Sequence, residues 1–157
     1  MTETASKRPA DLLDHLGYWV RLLANQVSHG LAARLERFDV TVAEWVILRS
    51  LYHRPPQLPS ALADELDVSR PTISKLADRL VAKGYVERRE DTDDRRRLQL
   101  TLSAEGESLV PELCARADAN DEAFFGDLSP AERAEFEATL TRLVVRARRS
   151  HPVDSTR

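Results

Sequence analysis

A single cysteine, Cys114, occurs in the 157 residues, which excludes any disulfide within the chain and fits a reducing compartment. Glycine is scarce at 5 residues and aromatics make up 6%, so tight turns are few and a mostly helical protein is expected. No apolar run approaches the roughly 20 residues that span a bilayer, and the N-terminal segment has no apolar core of the secretory kind. The expectation is a soluble, intracellular protein with no membrane partner. There is no Gly-rich phosphate loop, no nucleophile elbow and no HExxH, and the carboxylates scatter over polar faces, so catalysis has no support and no enzyme is expected. The histidines at 15, 29, 53 and 151 lack metal-ligand spacing. His15 and His29 would stand about 21 Å apart on one helix, and neither metal nor cofactor is expected. A basic surplus is missing too: the net charge is −3. Phosphate contacts are local, however, and charges beyond a Debye length of ~8–10 Å are screened, so distribution decides more than the total.

The distribution is uneven. Ser69 to Arg97 holds nine Lys/Arg (Arg70, Lys75, Arg79, Lys83, Arg88, Arg89, Arg95, Arg96, Arg97) against six Asp/Glu, a net +3 that leaves −6 elsewhere. With 42% hydrophobic and 31% charged residues the composition is globular with a heavily charged surface, and 157 residues suit one domain or two intimately shared lobes.

Residues 1–9 are polar and expected to be disordered. From Asp11, Leu12, Leu16, Trp19, Leu23, Val27, Leu31 and Leu35 recur in steps of three and four, predicting one amphipathic helix of more than twenty residues. So long a helix, with so little chain to wrap it, usually finds its partner on another subunit. Thr41-x-x-Glu44 reads as a capping box that opens a helix carrying Trp45, Ile47, Leu48 and Leu51. Pro59 suits the first position of a third helix. Asp67-Val68-Ser69 turns the chain, and Ser69 caps a fourth helix ending near Gly84. There Ile73, Leu76, Ala77 and Leu80 fall on one face, and Pro71, Lys75, Asp78 and Arg79 on the other. The period then changes to two around Val86 and again around Leu98, Leu100 and Leu102, which reads as a hairpin with an Asp- and Arg-rich loop. Ser103 caps a second long helix, with Leu109, Leu113, Ala117 and Phe124 on its buried side. Ser129-Pro130-Ala131-Glu132 opens a last helix presenting Phe136, Leu140, Leu143 and Ala147. Residues 150–157 form a basic tail, expected to be disordered. The fold class is mainly α with a small β-hairpin (α+β), a helix-turn-helix followed by a wing. A helix held by a turn can enter a DNA major groove while a basic hairpin reaches the neighbouring backbone.

That order, with Leu62-Ala63, Val68-Ser69-Arg70-Pro71-Thr72, Leu80-x-x-x-Gly84-Tyr85-Val86-Glu87-Arg88, Asp94-Arg95-Arg96 and Leu102-Ser103-Ala104-Glu105-Gly106, resembles the MarR family of bacterial transcription regulators. The resemblance runs over roughly Leu12 to Arg149. It implies a cytoplasmic homodimer whose outermost helices, residues 10–38 and 103–149, interlock, with a winged helix-turn-helix lobe at 39–102. Leu12, Leu16, Leu23, Phe136, Leu140 and Leu143 would then line the dimer interface. It further implies binding to a pseudo-palindromic double-stranded operator, usually as a repressor released by a small ligand or by oxidation. Two departures, Leu58 where a Ser or Thr cap is common and Ser103 where Thr is more frequent, touch no base-reading position.

Ser69, Arg70, Thr72, Ser74 and Lys75 occupy the N-terminal half of the recognition helix, the part that reaches base edges, with Arg79 further along. Arg and Lys can donate to guanine, and Thr can bond or pack on a thymine methyl. By the resemblance, Arg96 of Asp94-x-Arg96 enters the minor groove, with Arg95 and Arg97 beside it, and Asp94 holds a neighbouring arginine. The plain alternative is a solvated helix face and surface ion pairs worth ~0–1 kcal/mol each; the turn before and the wing after favour DNA. The resemblance places any ligand between the dimer helices and the DNA-binding lobe, with His15, Tyr18, Trp19, Trp45 and Arg49 as candidates. Aromatics with a cation suit an aromatic carboxylate or phenol, although Trp19 and Trp45 serve equally well as core. Some urate-responsive relatives carry an acidic residue where Val46 stands, which argues against that effector. Peroxide-sensing relatives place a cysteine near the start of the first helix, where this chain has none, so Cys114 reads as a structural or incidental thiol. Regulation by oxidation or without a ligand stays open, as does a winged helix used only for protein–protein contact.

Overall fold

The computed structural model describes residues 10–91, 94 and 96–150, so the expected disorder of 1–9 and 151–157 lies outside the described residues. In chain order the helices are α1 (Leu16–Leu35), α2 (Val42–Leu51), α3 (Pro59–Leu66) and α4 (Arg70–Ala82). The hairpin β1 (Val86–Glu90) and β2 (Leu98–Leu102) follows, then α5 (Ala104–Phe125) and α6 (Pro130–Ser150). Short 3-10 turns lie at Leu12–Asp14 and Glu36–Phe38.

Two expectations need correction. The helix predicted from Asp11 is interrupted at His15, whose backbone is extended (φ −95, ψ 114), and α1 starts only at Leu16. The Asp14 carboxylate accepts from the Asp11 backbone N–H at 3.1 Å, and the Trp19 indole donates to the Leu13 carbonyl at 2.9 Å. These local bonds satisfy the segment without helix, and a short Asp side chain competes with helical backbone in this way. At the other end Ser150, placed in the tail, is still part of α6.

The helix starts follow the sequence closely. Thr41 and Glu44 form both halves of a capping box, and Ser69 and Ser103 accept from the N–H groups of Thr72 and Gly106. Ser129 and Glu132 reproduce the capping box at α6, where the Ser129 hydroxyl and backbone N–H hold the Glu132 carboxyl below its ordinary range. These bonds satisfy N–H groups that a helix start otherwise leaves unpaired.

One core joins α2, α3, α4, the hairpin and the first half of α5: Ile47, Leu48, Leu51, Leu62, Ile73, Leu80, Leu100, Val110 and Leu113 are all fully buried. The buried face of α4 is the one its periodicity predicts. α1 packs along α5, where buried Asn120 donates to the Val27 carbonyl at 3.1 Å and accepts from Arg34 at 3.3 Å. Ala117 and Leu109 are half-buried and Phe124 is exposed, so the expected buried stripe of α5 fades towards its C-terminus within one chain. α6 has no buried residue in the single chain.

Candidate nucleic-acid interface

The turn between α3 and α4 is built on Asp67, which takes a left-handed conformation (φ 56) and closes α3 as Val68 donates to the Ala63 carbonyl at 3.0 Å. Ser69 then caps α4, its hydroxyl 2.8 Å from that of Thr72. With Ile73, Leu76, Ala77 and Leu80 fixed in the core, Arg70, Thr72, Ser74, Lys75 and Arg79 point outward and Ser69 is half-buried. Among the described residues, the Arg70, Ser74 and Lys75 side chains form no hydrogen bond or ion pair. Two unneutralised cations therefore stand at the N-terminal half of the helix.

The wing is fixed to this helix from both ends. Gly84, at φ +78, makes the turn out of α4, a conformation that costs glycine little. Ser103 donates from its hydroxyl to the Gly84 carbonyl at 2.6 Å and from its N–H to the Tyr85 carbonyl at 3.1 Å. Gly106 permits that approach: a Cβ there would lie 2.2 Å from the Tyr85 carbonyl oxygen. The strands pair antiparallel from Val86 opposite Leu102 to Glu90 opposite Leu98. Gln57, ahead of α3, adds a one-residue third strand by exchanging both backbone bonds with Leu100 at 2.9 and 2.8 Å. Nothing in the local pattern marked that bridge.

Asp78 turns its acidic charge towards the wing rather than outward, pairing with Arg88 of β1. In the wing loop Asp94 accepts from the Arg96 backbone N–H at 3.1 Å and lies 3.6 Å from Arg97 Nε. Among the described residues the arginine side chain held by Asp94 is Arg97, and Arg96 makes no side-chain pair there; Arg95 lies outside the described residues. From the sequence, Asp78 opposes phosphate and is expected to lie off the contact surface or to orient a nearby arginine. That the arginine is Arg88 was not legible, because a contact between a helix and a strand has no local period. The sequence also read Arg79 only as a DNA contact, whereas Arg79 Nε lies 3.1 Å from Glu44 Oε1 on α2.

The ligand candidates divide among separate surroundings. His15 is exposed, and Tyr18 and Trp19 meet edge-on at 5.7 Å between ring centroids. Trp45 belongs to the core, and the Arg49 guanidinium stands 5.9 Å over Tyr52. Cys114 is half-buried against the core. Leu12, Leu16, Leu23, Phe136, Leu140 and Leu143 are all exposed in one chain, Leu16 by 81%.

A capped helix seated after a turn, with a tethered two-stranded wing and open cations on both, is the architecture of a winged helix-turn-helix. Residues 38–97 match the family model described as MarR family. HosA, a transcriptional regulator of Escherichia coli O157:H7, is 27% identical over 106 residues, 68% of this chain and 78% of that protein. The fold is similar to that of BpsR from Bordetella bronchiseptica, studied for regulation of its DNA binding by 6-hydroxynicotinic acid (TM-score 0.81, 23% identity, 87% of this chain and 97% of that one). It is similar also to MepR of S. aureus, solved as a DNA complex (TM-score 0.78, 25% identity, 83% and 97%). The chain is thus similar to MarR-family transcriptional regulators, by a family-model match over its winged lobe and by its fold. The proteins that it resembles in sequence are regulators rather than enzymes. Among the described residues no helix is long and apolar enough to cross a membrane.

Proposed function

We propose that this regulator is a homodimer that reads a pseudo-palindromic operator, acting as a repressor released by a small aromatic or phenolic ligand. Residues 10–38 and 103–149 form the dimerisation unit and 39–102 the reading lobe. The observation that carries the reading is the set of cations without a side-chain partner among the described residues, Arg70 and Lys75 on α4 and Arg96 on the wing, in a protein whose net charge is −3. Ser69, Thr72 and Ser74 supply hydroxyls beside them, and Arg97 is oriented by Asp94. Dimerisation is supported by the exposed apolar residues of α1 and α6, which form patches that monomers rarely leave open. Ligand release is supported by the BpsR likeness and by the aromatic residues near the start of α1. Selection from a randomised duplex pool tests the proposal. The expected product is a two-fold symmetric motif with half-sites about one helical turn, ~34–36 Å, apart or a multiple of it. Recovery of unselected sequence would leave no sequence-specific reader.

A further inference from the structure

Glu44 is the one fully buried carboxylate among the described residues, and the DNA-facing surface does not use it. It stands at the third position of α2 and completes the cap with Thr41. A cap needs no charge here, since glutamine makes the same bond. Yet two cations from the far half of the recognition helix close on it: Arg79 Nε lies 3.1 Å from Oε1 and Lys83 Nζ 3.2 Å from Oε2. Lys83 also donates to the Asp39 carbonyl oxygen and lies 3.4 Å from the Asp39 carboxylate. The Arg79 contact is off-line for a hydrogen bond, so charge rather than directed bonding holds it. Burial pushes the Glu44 carboxyl up, but Thr41 and Lys83 together outweigh burial and keep it below its ordinary value, hence ionised.

Helical geometry gives the cluster its meaning. At about 100° per residue, Thr72, Lys75 and Arg79 fall along one stripe of α4, which Lys83 extends from the C-cap. The N-terminal half of that stripe is open, and the C-terminal half is closed on α2. Cations left free along the whole stripe would attract phosphate regardless of sequence.

Resting on the DNA-reading proposal above, we infer that Glu44 is a positioning residue for sequence discrimination. Its buried charge fixes α4 against α2 and keeps Arg79 and Lys83 off the phosphate backbone, leaving Lys75 and its neighbours to set the preference. The test compares the wild type with Glu44→Gln on the duplex selected above and on a scrambled duplex of equal composition. Glu44→Gln should lose about tenfold or more on the selected duplex and bind the scrambled one as well or better. Its salt dependence should steepen by about one phosphate contact or more. Lys83→Gln, which leaves the cap intact, should narrow the ratio in the same direction, and it carries the test alone if Glu44→Gln does not fold. Equal losses on both duplexes mean a merely structural role and overturn the inference, as does an unchanged ratio. A wild type that binds neither duplex takes the DNA-reading proposal down with it, so the two failures are distinguishable.

Discussion

Arg54 and Arg96 are both exposed arginines, yet their surroundings differ. Arg54 is spent on Glu65, donating to both carboxylate oxygens at 2.9 and 3.0 Å, whereas Arg96 is paired with no described side chain. Arg96→Ala should therefore weaken operator binding much more than Arg54→Ala, and equal effects in a shift assay would remove the wing from the interface. Lys75→Ala should cost about 1–3 kcal/mol and relax preference at one base position if it reads a base. At this scale much was legible in the sequence. Ser69, Thr41, Ser103 and Ser129 announce their caps, because a cap is local chemistry between residues three apart. The pairing of Asp78 with Arg88 and the clamp on Glu44 were not legible, since both depend on which elements the core brings together. Glu44 read as a cap and nothing more.

Between elements, two close contacts decide how rigidly the wing and recognition helix are held. Gly106→Ala would drive a Cβ into the Tyr85 backbone, 2.2 Å from its carbonyl oxygen, where no rotamer can relieve the clash. A loss of about 3 kcal/mol is expected, read as a lower unfolding midpoint; an unchanged midpoint would show that α5 does not start against that turn. The Glu44 cluster predicts a pH dependence. Its folded pKa is lowered from 4.5 while Lys83, Arg79 and Thr41 face it and Asp39 stands beyond Lys83. The stability it contributes is therefore full above the unfolded value and is lost as pH falls through the folded one. The stability gap between wild type and Glu44→Gln, about 1–3 kcal/mol at neutral pH, should shrink in acid. A gap that is constant from neutral to strongly acid pH would deny the charge its role. The hairpin was legible from its alternation and the helices from their period. The break at His15 was not: Leu12 and Leu16 keep helical spacing, but the bonds of Asp14 and Trp19 override it.

For the molecule as a whole, the apolar spacing of α1 and α6 pointed to burial that one chain does not provide. Leu12, Leu16, Leu143 and Val144 are at least half exposed, and a second copy is the simplest cover for them. Sedimentation should give a dimer at micromolar concentration; a stable monomer would contradict the dimer. The same scale resolves the charge: the acidic surplus lies outside the winged lobe, while open cations line one side of it. The most direct test of DNA reading is the affinity for a duplex of about 30 base pairs, measured across salt concentrations. Neutralising six or so phosphates predicts that log K falls against log salt with a slope of about −5 or steeper. A flat dependence, or no binding at low salt, would contradict the account.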